Sequence, residues 1–178
     1  MLGALRGAVT RPDKKAEQTA RGSRACPTLF VLVGLPGSGK TTYARRALPR
    51  CVRVSLDDLR LMLSGQPFEP KLEPLVAEIG TAALDIALAR AWRDGYDVVF
   101  DATNVSRELR RRSLDRARAH GVRAVAVWLR VDPVVARRRN RDRERVVPDE
   151  AMDRFASALE PPTVEEGFDR VIEVDAGD

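Results

Sequence analysis

The apolar positions fall into short continuous runs separated by longer stretches in which they recur every three or four residues. The first run, Thr28-Leu29-Phe30-Val31-Leu32-Val33, predicts a strand over about 28–33, apolar without alternation and so buried on both faces. A helix follows to about Leu48, closed by Pro49. Val52-Arg53-Val54-Ser55 reads as a second short strand, and Leu56 to about Ser64 as a helix ended by Gly65 and a turn at Pro67. From Leu72 to about Arg93 the pattern predicts a long helix stopped by Gly95. Leu75, Ile79, Ala82, Ile86 and Ala89 recur along it at three- and four-residue steps and are expected to form its core stripe. Tyr96 to Phe100 is a third strand ending in Asp101, followed by a helix from about Ser106 to His120 with Gly121 as its stop signal. Val122 to Val131 is a fourth strand, Val134 to about Asn140 a short helix, Pro148 to about Leu159 another, and Val171 to Val174 the last strand. Strands alternating with helices, several continuously apolar, predict a parallel sheet covered on both faces, a three-layer α/β sandwich.

Directly behind the first strand stands Gly34-Leu35-Pro36-Gly37-Ser38-Gly39-Lys40-Thr41, the G-x-x-x-x-G-K-T spacing of a phosphate-binding P-loop between a strand and a helix. Its glycines permit dihedrals that turn successive N–H groups inward, and the helix that starts near Lys40 brings its positive end to the same place. Lys40 is expected to reach the β- and γ-phosphates of ATP, and the Thr41 hydroxyl to take one position on magnesium. Thr42 enters the helix beside them. The fold class is therefore that of a P-loop NTPase.

Three further groups can carry chemistry. In Ser55-Leu56-Asp57-Asp58-Leu59-Arg60, Asp57 and Arg60 lie three apart, on one face of a helix that begins at the carboxyl end of a strand, where parallel α/β folds bind ligands. A carboxylate there can accept the proton of an attacking hydroxyl, a guanidinium can hold an acceptor phosphate, and Asp58 can share in the acceptor. The same residues also make good helix-start chemistry, with Ser55 as cap and two acids in the first turn; spacing alone leaves both readings open. Asp101 closes the third strand like a Walker B aspartate, placed for magnesium, and Ala102 stands where a motor-type ATPase usually has a glutamate, which favours transfer to a substrate over hydrolysis. Thr103 and Asn104 fit a cap or turn as well as a ligand contact. Finally, Arg137, Arg138, Arg139, Arg141, Arg143 and Arg145 crowd the stretch before Pro148. An arginine-rich lid of this kind can balance the charge of phosphoryl transfer, although most of these arginines also fit a solvated basic helix with local acidic partners.

Composition narrows the picture a little. At 178 residues the chain has the length of one domain, and 44% hydrophobic residues is ordinary for a globular protein. No apolar run approaches the roughly eighteen residues of a membrane span. Cys26 and Cys51 make neither a disulfide framework nor a metal set, which suits a reducing, cytoplasmic setting. The single His120 ends a helix and fits a dipole partner. Residues 1–27 read as a basic, disordered arm and 28–178 as the kinase domain; the net charge of +5 is assigned to that arm and to the arginine segment, so it says little about nucleic-acid binding.

With these pieces in order, the chain resembles the polynucleotide 5′-kinase family, the kinase modules of nucleic-acid end-healing enzymes, over roughly residues 28–160. The resemblance rests on the Gly34–Thr41 loop, Asp57-Asp58-Leu59-Arg60, Asp101-Ala102-Thr103-Asn104, and Arg139-Asn140-Arg141-Asp142-Arg143 with Pro148. It implies that Lys40 and Thr41 bind ATP phosphates and magnesium, and that Asp57 is the base that activates a ribose 5′-hydroxyl. It further implies that Arg60 holds the acceptor's 3′-phosphate, and that Arg143, assisted by Arg139, meets the ATP phosphates. Members with several domains carry a phosphatase or ligase beside the kinase; no two aspartates here lie two apart, as a phosphatase nucleophile pair requires. Aromatic residues, at 5%, offer little stacking surface for a strand. The expected activity is transfer of the ATP γ-phosphate to the 5′-hydroxyl of DNA or RNA. A sugar, nucleoside or antibiotic kinase of the same fold, and a non-catalytic ATP-binding interaction module, are the alternatives.

Overall fold

The computed structural model describes residues 25–66, 68–143 and 146–177; the expected arm up to residue 24, the Pro67 turn, Glu144 and Arg145 lie outside them. Five strands form one parallel sheet: β1 (Thr28–Val33), β2 (Val52–Ser55), β3 (Val98–Asp101), β4 (Arg123–Arg130) and β5 (Arg170–Asp175), in the order β2-β3-β1-β4-β5. β1 is the middle strand. It pairs with β4 along its whole length, from Thr28 with Arg123 to Val33 with Trp128, and with β3 from Leu29 with Val98 onward. This explains its unbroken apolar run, since a central parallel strand has no solvated face.

The helices are α1 (Lys40–Ala47), α2 (Leu56–Ser64), α3 (Glu73–Asp94), α4 (Arg107–His120), α5 (Pro133–Arg141) and α6 (Asp149–Ser157), with short 3₁₀ turns at Pro70–Leu72 and Val164–Glu166. On one face of the sheet Leu29, Val31 and Val33 pack with Leu84 and Leu88 of α3 and Leu114 and Ala117 of α4. On the other, Leu32, Val99, Val127 and Leu129 pack with Ala44 of α1. The three layers match the pattern read from the sequence.

The core stripe of α3 does not. Leu75 and Ile86 are exposed, whereas Val76, Gly80, Leu84, Ala87, Leu88 and Ala91 are buried. α3 is apolar on more than one side, so periodicity alone supports two stripes, and packing chooses the one with the glycine. Gly80 is where α2 comes closest: a Cβ there would stand 2.3 Å from Leu56 Cδ2. The close approach seats the first turn of α2, and with it Asp57, against α3.

A second feature of the interior is Arg110 of α4, fully buried. Its Nε and Nη2 each donate to Glu166 at 2.7 Å, and Nη1 donates to the carbonyls of Asn104, Val105 and Glu160 at 2.9–3.1 Å. A guanidinium can be buried only with its donors satisfied and its charge paired, and here both conditions hold. The pair fixes the loop from β3 to α4 against the C-terminal part of the chain. Of the other arginines on α4, Arg112 pairs with Glu108, Arg116 with Asp85 and Arg118 with Asp115. The helix is thus a third basic stretch beside the two recognised by charge counting, largely offset by these acids. No described helix is long and apolar enough to cross a membrane.

Candidate functional site

The loop between β1 and α1 lies at the carboxyl end of the central strand. Gly37 has φ 84° and a Cβ there would meet Ala136 O at 2.4 Å, so only glycine allows the loop to run against α5. Leu35 anchors the loop from below, buried with Ala136 of α5 and Met152 of α6. From the side, Gly34 N donates to Thr103 O at 3.0 Å, and Asn104 Nδ2 donates to Leu32 O at 2.8 Å, with Asn104 at φ 45°. Thr103 and Asn104 therefore brace the loop as a turn, the alternative reading of that pair. α1 begins at Lys40 behind Gly39, whose side makes no capping bond, so the first amides of the helix keep their capacity for an anion.

The Lys40 ammonium is buried and donates to Gly34 O at 2.8 Å, Leu35 O at 2.7 Å and Ser38 Oγ at 3.4 Å. Burial pushes its pKa down to about 8; Asp101 and then Asp57 oppose the shift, and Arg143 adds to it. Lys40 thus feels charges carried by β3, by α2 and by the segment after α5. Thr41 Oγ1 donates to Asp101 Oδ2 at 2.9 Å, and Asp101 is 4% exposed. Two hard oxygens this close suit magnesium, and no described cluster of three or more His, Cys, Asp or Glu could hold a metal unaided. An ion here would be completed by phosphate oxygens and water, as magnesium sites commonly are.

At the end of β2, Ser55 caps α2 by accepting from Asp58 N at 3.3 Å, so the helix-start reading of this segment holds. Asp57 and Arg60 share one face of α2, as their three-residue spacing predicts, and they pair with each other: Arg60 Nη1 donates to Asp57 Oδ1 at 2.8 Å. The sequence did not reveal the second partner of Arg60. Its Nε and Nη2 donate to Glu73 Oε1 and Oε2, both at 2.8 Å, a two-pronged bond across from the start of α3. The Glu73 bonds, above all, hold the guanidinium charged. Arg53 was likewise passed over. From β2 it donates to Asp101 Oδ2 at 2.8 Å and, through Nη2, to Asp58. Nothing in a four-residue strand motif signals that link.

The arginine segment divides. Arg137 pairs with Asp153 and Arg141 with Asp149 at 3.7 Å, both acids on α6, as a basic helix with local partners would have them. Arg139 donates to the carbonyl of Ala176 at 2.7 Å, behind β5. Among the described arginines of the segment, Arg143 is the one whose charge acts on Lys40. Asn140, fully buried, donates to Val147 O at 2.7 Å and accepts from Val147 N at 3.0 Å, closing the loop that carries Arg143 at its base.

Among solved structures, the chain is similar to one in the Pnkp1/Rnl/Hen1 RNA repair complex, at 24% identity and a TM-score of 0.64 over 83% of this chain; it spans 48% of that one. It is similar to a gluconokinase from Sinorhizobium meliloti 1021, at 24% identity and a TM-score of 0.55, covering 86% of this chain and 85% of that one. Kti12 of Chaetomium thermophilum, in complex with ADP-AlF3, matches at 18% identity and a TM-score of 0.59 over 83% and 88% of the two chains. These likenesses are of fold. A family model described as an AAA domain matches residues 29–162, so the chain, with its P-loop and parallel sheet, belongs to the AAA domain family.

Proposed function

We propose that this protein is an ATP- and magnesium-dependent kinase that transfers the γ-phosphate to a hydroxyl, with the 5′-hydroxyl end of DNA or RNA as the acceptor. The observation that carries this reading is the chain of contacts at the strand ends: Thr41 Oγ1 donates to Asp101 Oδ2 at 2.9 Å, and Arg53 joins Asp101 to Asp58, next to Asp57, while Lys40 feels the charges of Asp101, Asp57 and Arg143. Donor, acceptor and lid elements converge there.

In this reading Gly34, Leu35, Pro36, Gly37, Ser38, Gly39, Lys40, Thr41 and Thr42 hold the ATP phosphates through loop amides, the first turn of α1 and the Lys40 ammonium. Lys40 exchanges its bonds to Gly34 O and Leu35 O for phosphate oxygens. Thr41 and Asp101 would hold magnesium, which when bound neutralises charge on the β- and γ-oxygens. Asp57 accepts the proton of the acceptor hydroxyl as its oxygen bonds to the γ-phosphorus, while the bond to the bridging oxygen breaks and ADP leaves with the electron pair. Arg143 balances charge on the transferred group, and Arg139 assists it on leaving the carbonyls of Ala176 and Gly177. Arg60 and Asp58 orient the acceptor. Similarity in fold to a chain of an RNA repair complex supports a nucleic-acid acceptor.

A second reading, a small-molecule kinase, is favoured by one observation. Arg60 already faces two carboxylates, Glu73 and Asp57, so the group carries net negative charge before any acceptor phosphate arrives. The gluconokinase likeness, spanning nearly all of both chains, supports it too. γ-Labelled ATP offered with 5′-hydroxyl DNA and RNA oligonucleotides, each also supplied 5′-phosphorylated, tests the choice. Label on the 5′-hydroxyl strands alone is expected. ATP binding with no labelled strand, but label on a sugar or nucleoside, would replace the nucleic-acid reading with the second one.

A further inference from the structure

Arg53 sits between the two halves of the site. β2 and β3 pair in register from Val52 with Val98 to Ser55 with Asp101, which sets Arg53 beside Val99, two residues before Asp101 on the same face. The guanidinium, one fifth exposed, donates through Nη1 to Asp101 Oδ2 at 2.8 Å and through Nη2 to Asp58. The same Oδ2 takes the Thr41 hydroxyl at 2.9 Å. A carboxylate as buried as Asp101 needs a counter-charge, and this guanidinium is hydrogen-bonded directly to it. The two protein groups suited to magnesium are thus already joined to each other and to a resident cation.

We propose that Arg53 is a positioning residue that occupies Asp101 in the nucleotide-free protein, so that a divalent cation gains Asp101 only in company with nucleotide phosphates. A free cation must displace the guanidinium or share the carboxylate with it, and like charges repel. Phosphate oxygens arriving with the cation supply the negative charge that lets both stay. Linkage makes the effect mutual: what weakens the cation alone strengthens the dependence of cation on nucleotide. Through Asp58, the same side chain ties the cation-facing carboxylate to the first turn of α2, which carries Asp57. The inference rests on the reading in which Asp101 faces the cation, but it does not depend on which hydroxyl is phosphorylated or on whether transfer occurs.

Binding of manganese(II), followed by electron paramagnetic resonance on the full chain, tests it without turnover. Without nucleotide, Arg53→Met is expected to bind manganese at least tenfold more tightly than the unaltered protein, and adding Asp101→Asn should abolish the gain. With ADP present the difference should shrink to threefold or less. Arg53→Lys, which keeps a cation on Asp101 but cannot span both carboxylates, should stay within about threefold of the unaltered protein and serves as well if the methionine variant folds poorly. Unchanged or weaker manganese binding in a folded Arg53→Met protein would overturn the proposal, as would an equal gain in Arg53→Lys. The predicted manganese result together with a complete absence of phosphoryl transfer would leave this inference standing and remove the kinase reading.

Discussion

The P-loop half and the α2 half of the candidate site, donor and acceptor halves in the proposed reading, are built differently. Around the P-loop, Lys40, Ser38 and Asp101 are buried, and the contacts of the loop itself end on backbone carbonyls within a few residues or in the adjoining strand-end loop, with Thr41 and Arg53 bonded to Asp101 through side chains. Around α2, Asp57 and Asp58 are about half exposed, and the contacts are side-chain ion pairs to β2 and α3. Backbone geometry fixes the first half whatever the acceptor. The second depends on a few side chains that can change without disturbing the core, so acceptor choice is the property of this fold most open to variation.

Several experiments would break or sharpen this contrast. The largest effect is expected at Gly37→Ala, which asks a left-handed position beside the Ala136 carbonyl to accept a Cβ. Nucleotide binding should fall below detection in calorimetry, and retention within tenfold would contradict a backbone-fixed donor half. Next, Arg110→Met leaves the buried Glu166 with only the more distant Arg107 as counter-charge and takes a donor from three carbonyls, at a cost of about 3–5 kcal/mol in a denaturant titration. Because Arg110 fixes the loop bearing Thr103, the variant should also weaken nucleotide binding.

A smaller effect is expected on the acceptor side. Glu73→Gln removes one of two negative charges from Arg60, so acceptors with a phosphate near the reacting hydroxyl should gain roughly threefold to tenfold in kcat/KM over uncharged ones, on the scale of one ordinary hydrogen bond. ATP affinity should not move. A parallel fall in ATP binding would erase the division between the halves.

The smallest effect is one of pH. With its pKa near 8, Lys40 is half deprotonated there in the free protein, and nucleotide phosphates favour its charged form. ATP binding should therefore take up a proton, by an amount that approaches one above pH 8, and affinity should fall as pH rises through that value. Calorimetry in buffers of different ionisation enthalpy reads the uptake. For stability the sign is opposite to that of a salt-bridged lysine. Between about pH 8 and 10.5 the unfolded chain binds the proton that native Lys40 has lost, so this residue's contribution to stability rises with pH over that window.

The same contrast explains what the sequence made legible. Strand and helix positions followed from apolar runs and from glycines and prolines at their ends, and the P-loop from a fixed spacing, because those signals are local. Asp57 and Arg60 could be paired because they lie three apart on one helix. Glu73, thirteen residues from Arg60, and Arg53, 48 residues from Asp101, are joined only by how α3 and the sheet pack. The stripe on α3 is illegible for a related reason: Leu75 and Ile86 are as apolar and as regularly spaced as Val76 and Leu84, and only packing on the sheet, on α4 and against Leu56 at Gly80 decides which side faces inward.

The central claim is that Asp57 serves chemistry and leaves ATP binding to the donor half. Single-turnover transfer to a 5′-hydroxyl oligonucleotide, measured beside ATP affinity in the unaltered protein and in Asp57→Asn, addresses it most directly. The account predicts ATP affinity within about threefold and transfer slower by about 10²–10⁴-fold, the usual contribution of a general base. Transfer at an undiminished rate in Asp57→Asn would contradict it.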